Sequence, residues 1–70
     1  MIHLNICRNN SILIDSEDYE QNRNIIDRMA YGLPFREITD HGMCIMYEGC
    51  VDVLYEFIYR LTLRFELSIR

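Results

Sequence analysis

The histidines and cysteines are the residues of this chain that could bind a metal ion. His41, Cys44 and Cys50 lie close together in the sequence, and His3 and Cys7 form a second group. A closed zinc site needs four Cys or His ligands, usually supplied as closely spaced pairs. The chain has no C-x2-C pair, and the fold would have to bring the two groups together. We therefore expect no metal ligand and no cofactor.

Nucleophilic catalysis by a cysteine would need a histidine base beside the thiol. Cys44 could meet His3 if their strands were neighbours. Cys50 stands at the start of a predicted helix, which favours a thiolate, but the neighbouring acids Glu48 and Asp52 oppose it. No glycine-rich phosphate loop is present, and without lysine the chain has no Schiff-base or phosphate-binding amine. We predict no catalytic residues and a protein that is not an enzyme.

Acidic side chains form the densest charged group in the sequence. Four acids and no base fall between Asp15 and Glu20. They suit the start of a helix, where the helix dipole favours negative charge, and they could also bind a basic surface on another protein. Further acids lie in the second hairpin, and tyrosines are common at interfaces. The predicted partner-binding residues are Asp15, Glu17, Asp18, Glu20, Glu37, Asp40, Glu48 and Tyr59, with Tyr31 and Tyr55 as further interface candidates.

The overall charge narrows the classes of partner. The chain has a net charge of −4, seven arginines and no lysine. Nucleic acids and anionic membranes both attract clustered basic residues, so we expect neither as a direct partner. No apolar run is long enough to span a bilayer, and the first residues lack the pattern of a signal peptide. These features predict a cytoplasmic protein with free thiols.

The first half of the chain predicts a hairpin followed by a helix. Residues 2–7 alternate between apolar and polar side chains, which indicates a strand with Ile2, Leu4 and Ile6 on one face. Asn9 and Asn10 suit a tight turn before a short strand at 12–14. Apolar residues then recur at helical spacing over 17–31. Gly32 and Pro34 mark the end of this helix.

The second half repeats this order less clearly. Residues 35–39 and 43–47 predict a hairpin around Gly42, in which Glu37 and Glu48 could face each other. From Cys50 onward a helical pattern overlaps a strict alternation over 61–69. One interpretation ends the helix near residue 59 or 60 and adds a strand at 62–69. The alternative is a single long C-terminal helix.

We therefore predict one small α+β domain over residues 1–70. The favoured architecture has the ferredoxin-like order β-α-β-β-α-β, and the alternative is β-β-α-β-β-α with the long helix. Such a short chain forms a small core, so a partner chain is an expected source of further stability.

For function, we predict a small acidic protein-interaction module that inhibits or regulates another protein. Nuclease-immunity proteins, anti-CRISPR and other anti-defence proteins of phages and mobile elements, and antitoxins share its size and charge, and many of these inhibit nucleic-acid enzymes. This is a likeness of class, without a shared motif. The alternatives are a homodimer or other homo-oligomer with a structural or regulatory role, and a small Cys/His metal-binding protein or enzyme.

Overall fold

A computed structural model describes all residues from Met1 to Arg70 and contains five strands and three helices. In chain order the elements are β1 (Ile2–Cys7), β2 (Ser11–Asp15), α1 (Ser16–Gln21), α2 (Arg23–Ala30), β3 (Glu37–Asp40), β4 (Cys44–Glu48), α3 (Val51–Thr62) and β5 (Leu67–Ile69).

The strands form one mixed sheet in the order β3-β4-β2-β1-β5. All neighbouring pairs are antiparallel except β1 and β5, which run parallel. The α+β class is confirmed, and the order from β2 to β5 roughly matches the ferredoxin-like pattern. The prediction used the strand at 2–7 as the first strand of the β-α-β-β-α-β pattern. In the structure β2 is the first strand of that pattern, and β1 is an additional strand that lies between β2 and β5 in the sheet.

The β1–β2 hairpin has the predicted turn. Asn10 adopts a positive φ of 56°, a conformation that asparagine tolerates better than most residues. Leu4 pairs with Ile14 across the hairpin. The Gly49 N–H donates to the Asn10 carbonyl at 3.2 Å, so the turn also contacts the segment that leads into α3.

The helix predicted at 17–31 is interrupted in the structure. Asn22 leaves helical geometry with φ −128° and ψ 24°, and it separates α1 from α2. Its side-chain amide donates to the Asp18 carbonyl at 3.0 Å, a local hydrogen bond of the kind that competes with helix propagation. The predicted end is confirmed, because Gly32 follows α2 with a φ of 82°.

The second hairpin forms as predicted, although its first strand begins later. Residue 37 rather than 35 starts β3. Phe35 instead packs its ring against Tyr47 and Phe57, with ring centroids 5.4 and 5.2 Å away. Gly42 occupies the loop with a φ of 83°.

The C-terminal segment contains a helix and a strand, so the single long helix is wrong. The boundary also differs from the favoured prediction, since α3 continues to Thr62 and β5 is only three residues long. Leu61 is fully buried on the same side of α3 as Leu54 and Phe57, and this packing holds the last turn in the helix. None of the three helices is long and apolar enough to cross a membrane.

The core lies between α2 and α3 and one face of the sheet. Apolar residues of the four strands β1, β2, β4 and β5 and of both helices meet there. The buried members are Ile2, Leu4, Ile12, Ile14, Ile26, Ile45, Tyr47, Leu54, Phe57 and Leu61. The alternate strand residues point to the other face of the sheet, where Asn5, Leu13 and Met46 are half-buried.

Candidate functional site

A shallow apolar groove separates the first half of α3 from the β1–β2 hairpin. Its volume is about 110 Å³. The contact between Gly49 and Asn10 brings the start of α3 next to the hairpin turn and so forms one end of the groove. The lining residues are Ile6, Cys7, Asn10, Ser11, Ile12, Val51, Leu54, Tyr55 and Ile58.

Exposed apolar side chains continue from this groove along α3. Val51, Tyr55 and Tyr59 are 45%, 64% and 59% exposed, and their four-residue spacing places them on one side of the helix. Ile6, at the far end of β1, is 51% exposed. The sequence placed Ile6 on the same strand face as the buried Ile2 and Leu4, but no element covers Ile6. We name Val51, Tyr55 and Tyr59 of α3, together with the neighbouring Ile6 of β1, the α3 stripe.

Two acidic residues of α3 lie beside the α3 stripe. Asp52 and Glu56 are both exposed. Glu56 is 3.5 Å from Arg60, whose guanidinium also donates to the carbonyls of Met29 and Tyr31. Arg60 thus connects α3 to the end of α2, and Asp52 is left without an ion pair.

The predicted acidic residues of α1 divide into two kinds. Glu17 and Glu20 are exposed. Asp18 accepts the His3 main-chain N–H at 2.7 Å and its ring Nδ1–H at 2.9 Å. Burial by itself would raise the pKa of Asp18, but the hydrogen bonds and the charge of His3 outweigh it, so the pKa lies below its usual value. Asp18 therefore joins α1 to the start of β1.

Asp15 and Asp40 also make intramolecular contacts. Asp15 accepts a hydrogen bond from the Arg70 guanidinium at 3.0 Å. Asp40 accepts the Gly42 N–H at 2.7 Å and so stabilises the β3–β4 loop.

Glu37 and Glu48 are direct neighbours across the β3–β4 hairpin, as the sequence predicted. Arg36 relieves the repulsion between them, since its guanidinium lies 2.9 Å from the Glu48 carboxylate. Hydrogen bonding to Glu48 raises the pKa of Arg36. Glu37 remains exposed with no ion pair.

The eight predicted partner-binding residues do not form one continuous surface. Asp15 and Asp18 come together around His3, Glu37 and Glu48 come together on the hairpin, and Tyr59 lies on α3. Sequence reasoning named Tyr55 and Tyr59 but missed Ile6 and Val51. Both are apolar, a residue type that is usually buried, and no local signal shows that the neighbouring elements stop short of them.

The structure groups different metal-ligating residues from those considered in the sequence. Donor atoms of His3, Asp15 and Asp18 lie within 4.8 Å of one another, whereas no such group includes a cysteine. Both carboxylates already accept hydrogen bonds, Asp18 from His3 and Asp15 from Arg70. A metal ion would have to displace these donors, so the arrangement is explained by its internal contacts.

The conditional pairing of Cys44 with His3 required neighbouring strands, and the structure does not meet this condition. β2 lies between β1 and β4 in the sheet. All three cysteines are free thiols, with Cys50 exposed and the other two half-buried.

Comparison of the chain with family models, curated proteins and solved structures found no match in any of the three.

Proposed function

We propose that this chain is a non-enzymatic protein-interaction module that inhibits or regulates the protein it binds. The α3 stripe and its groove support this proposal. Apolar side chains that remain in water beside a concave surface contribute binding free energy when a partner covers them. Tyrosine is especially effective because it buries a large area and has few torsions to order.

The chemistry of the surface specifies the complementary partner. An apolar side chain of the partner would enter the groove between Ile6 and Tyr55. Basic residues around that side chain would meet Asp52 and Glu56, and the net charge of −4 would increase the rate of association with a positively charged surface. Enzymes that act on nucleic acids have such surfaces, so we favour one of them as the partner, in a reducing cytoplasm that keeps the three thiols free.

The exposed acids Glu17 and Glu20 of α1 and Glu37 of β3 provide further contacts for the same function. They remain predicted partner-binding residues, and they lie on different elements from the α3 stripe. Tyr59 belongs to both predictions, since it is one of the predicted residues and also part of the stripe.

Capture with matched variants tests this proposal. The immobilised chain is exposed to lysate of its host, a retained protein is identified by mass spectrometry, and its affinity is then measured with purified protein. We expect Tyr55→Ala to weaken binding at least about tenfold, or about 1.4 kcal/mol. Tyr31→Ala is the matched control: Tyr31 was also an interface candidate from the sequence and is 83% exposed, but it lies in the loop after α2 and does not line the groove.

The comparison separates the two surfaces. Loss of affinity in Tyr55→Ala with none in Tyr31→Ala supports the groove. If Tyr55→Ala binds with the affinity of the wild type and the double variant Glu17→Lys/Glu20→Lys binds more weakly, the acidic helix is the binding surface. A purified partner that binds all these variants equally would contradict the proposal.

A further inference from the structure

β5 is an edge strand whose outer side is unpaired. The Ile2 N–H donates to the Glu66 carbonyl, and the Arg70 N–H donates to the Leu4 carbonyl, both at 2.8 Å. Successive residues of a strand point their backbone groups to opposite sides. Residues 66, 68 and 70 therefore bond to β1, and the N–H and C=O groups of Leu67 and Ile69 face outward.

We propose that β5 pairs antiparallel with β5 of a second copy of this chain, about a two-fold axis at Ser68. This register places Leu67 opposite Ile69 of the second copy, and the same pair recurs on the other side of the axis. All four residues have outward-facing N–H and C=O groups, so within each pair both N–H groups can donate to the opposite C=O. The two sheets would then become one continuous sheet.

Charge complementarity selects this register. It places Glu66 of each copy opposite Arg70 of the other, which gives two symmetry-related ion pairs beside Ser68. A two-fold axis at Leu67 would instead place Arg64 opposite Arg70, with like charges facing each other. The other edge strand, β3, has two acids and no base, so it lacks such self-complementarity.

Apolar burial favours the same pairing. Ile69 is 51% exposed at the edge of the helix-covered face, where it would contact Leu67 of the second copy. Arg70 already donates from one terminal nitrogen to Asp15. Its remaining N–H groups can bind Glu66 of the second copy, because a guanidinium carries five donors.

A charge-complementation experiment tests the dimer and its register. Sedimentation velocity measures the mass of the wild type from micromolar to millimolar concentration, and a dimer is expected at the upper end. Glu66→Arg and Arg70→Glu should each be monomeric alone, because each places like charges opposite each other. Their equimolar mixture should form a heterodimer, in which both opposed pairs again have opposite charge. Glu37→Arg is the matched control on the other edge and should leave the dimer intact.

Cross-linking provides a second measurement that requires no charge reversal. Ser68 lies opposite its own copy in this register, so Ser68→Cys under mild oxidation should yield a dimer linked at residue 68, as mapped by mass spectrometry. A wild type that stays monomeric at millimolar concentration would overturn the proposal. A dimer that persists in Glu66→Arg and is not linked at residue 68 would also overturn it. The dimer does not depend on the proposed function, and Tyr55→Ala should not affect it.

Discussion

Asp18 illustrates how a single side chain can have a structural role that its sequence neighbours do not share. It stands among four acids that look equivalent in the sequence, yet it alone among them binds both the main chain and the side chain of His3. The pairing of β1 with β2 ends at Leu4 and Ile14, so the His3 N–H has no partner on β2. The Asp18 carboxylate takes the place of the missing strand, and this contact lowers its pKa.

Replacement of Asp18 should therefore have a pH-dependent effect on stability. Since its pKa in the folded protein lies below the unfolded value, its contribution is complete above the unfolded pKa of about 3.9 and is lost as the pH falls through the folded pKa. We expect Asp18→Ala to lower the free energy of unfolding at neutral pH by about 1–3 kcal/mol, and by less in acid. Urea unfolding over a pH series measures this difference.

The control is Glu17→Ala, at an exposed neighbouring acid. It should change the free energy of unfolding by less than about 0.5 kcal/mol. Equal losses in both variants, or a loss in Asp18→Ala that does not depend on pH, would mean that the contact with His3 is not what stabilises this end of the sheet.

Among the secondary-structure elements, the change from α3 to β5 is the part of the chain where local patterns conflict. Residues 61–69 alternate as a strand would, but Leu61 is needed in the core and the helix continues to Thr62. The Phe65 N–H donates to the Leu61 carbonyl and closes the turn at the end of α3. Phe65 then packs against the core from the loop, and the alternation describes a strand only over its last residues.

Two neighbouring substitutions test this arrangement. Phe65→Asp should lower the free energy of unfolding by about 2–4 kcal/mol, because it removes an apolar ring from the core and brings a carboxylate to its edge. Glu66→Thr should change it by less than about 0.5 kcal/mol, since Glu66 is exposed. Thermal and urea unfolding measure both variants, and a large loss in Glu66→Thr would show that this segment packs differently.

For the molecule as a whole, the position of β1 in the sheet determines which surfaces are covered. β1 lies between β2 and β5 and extends past the short β5, so Ile6 lies beyond the end of β5. Ile2 and Leu4 are buried in the core, whereas Val51 and Tyr55 of α3 stay exposed near Ile6 at the open end of β1. The insertion of β1 therefore supplies one wall of the groove, whereas β5 would be an edge strand with or without it.

Two aromatic residues of α3, Phe57 and Tyr55, differ in burial and should differ in their contribution to stability. Phe57 is fully buried and lies 4.7 Å from Tyr47 between ring centroids. Phe57→Ala should cost about 3–5 kcal/mol, which is most of the stability expected for a domain of this size. Tyr55→Ala should cost less than about 0.5 kcal/mol. Calorimetry measures both, and a comparable loss in Tyr55→Ala would place the groove within the core.

Local signals were sufficient for most elements and turns. Strand alternation, helical spacing, the Asn9–Asn10 turn and the glycines at 32 and 42 predicted five strands and the helical segments, because backbone preferences and side-chain periodicity act over a few residues. The opposition of Glu37 and Glu48 followed from the hairpin for the same reason. The boundary at Thr62 was missed because it depends on the burial of Leu61 in the core, and the break at Asn22 was missed because the helical spacing of apolar residues continues past it.

The order of the strands and the exposed surfaces required the tertiary structure. Ile6 and Ile2 have the same residue type and the same phase in β1, yet Ile2 is buried and Ile6 is 51% exposed. Whether an apolar residue is covered depends on where distant elements end, and this depends on long-range packing that periodicity does not encode. The residue pattern alone was enough for an acidic α+β domain, whereas the tertiary structure decided where its groove, its exposed tyrosines and its open edge lie, because these depend on where β5 and α3 end relative to β1.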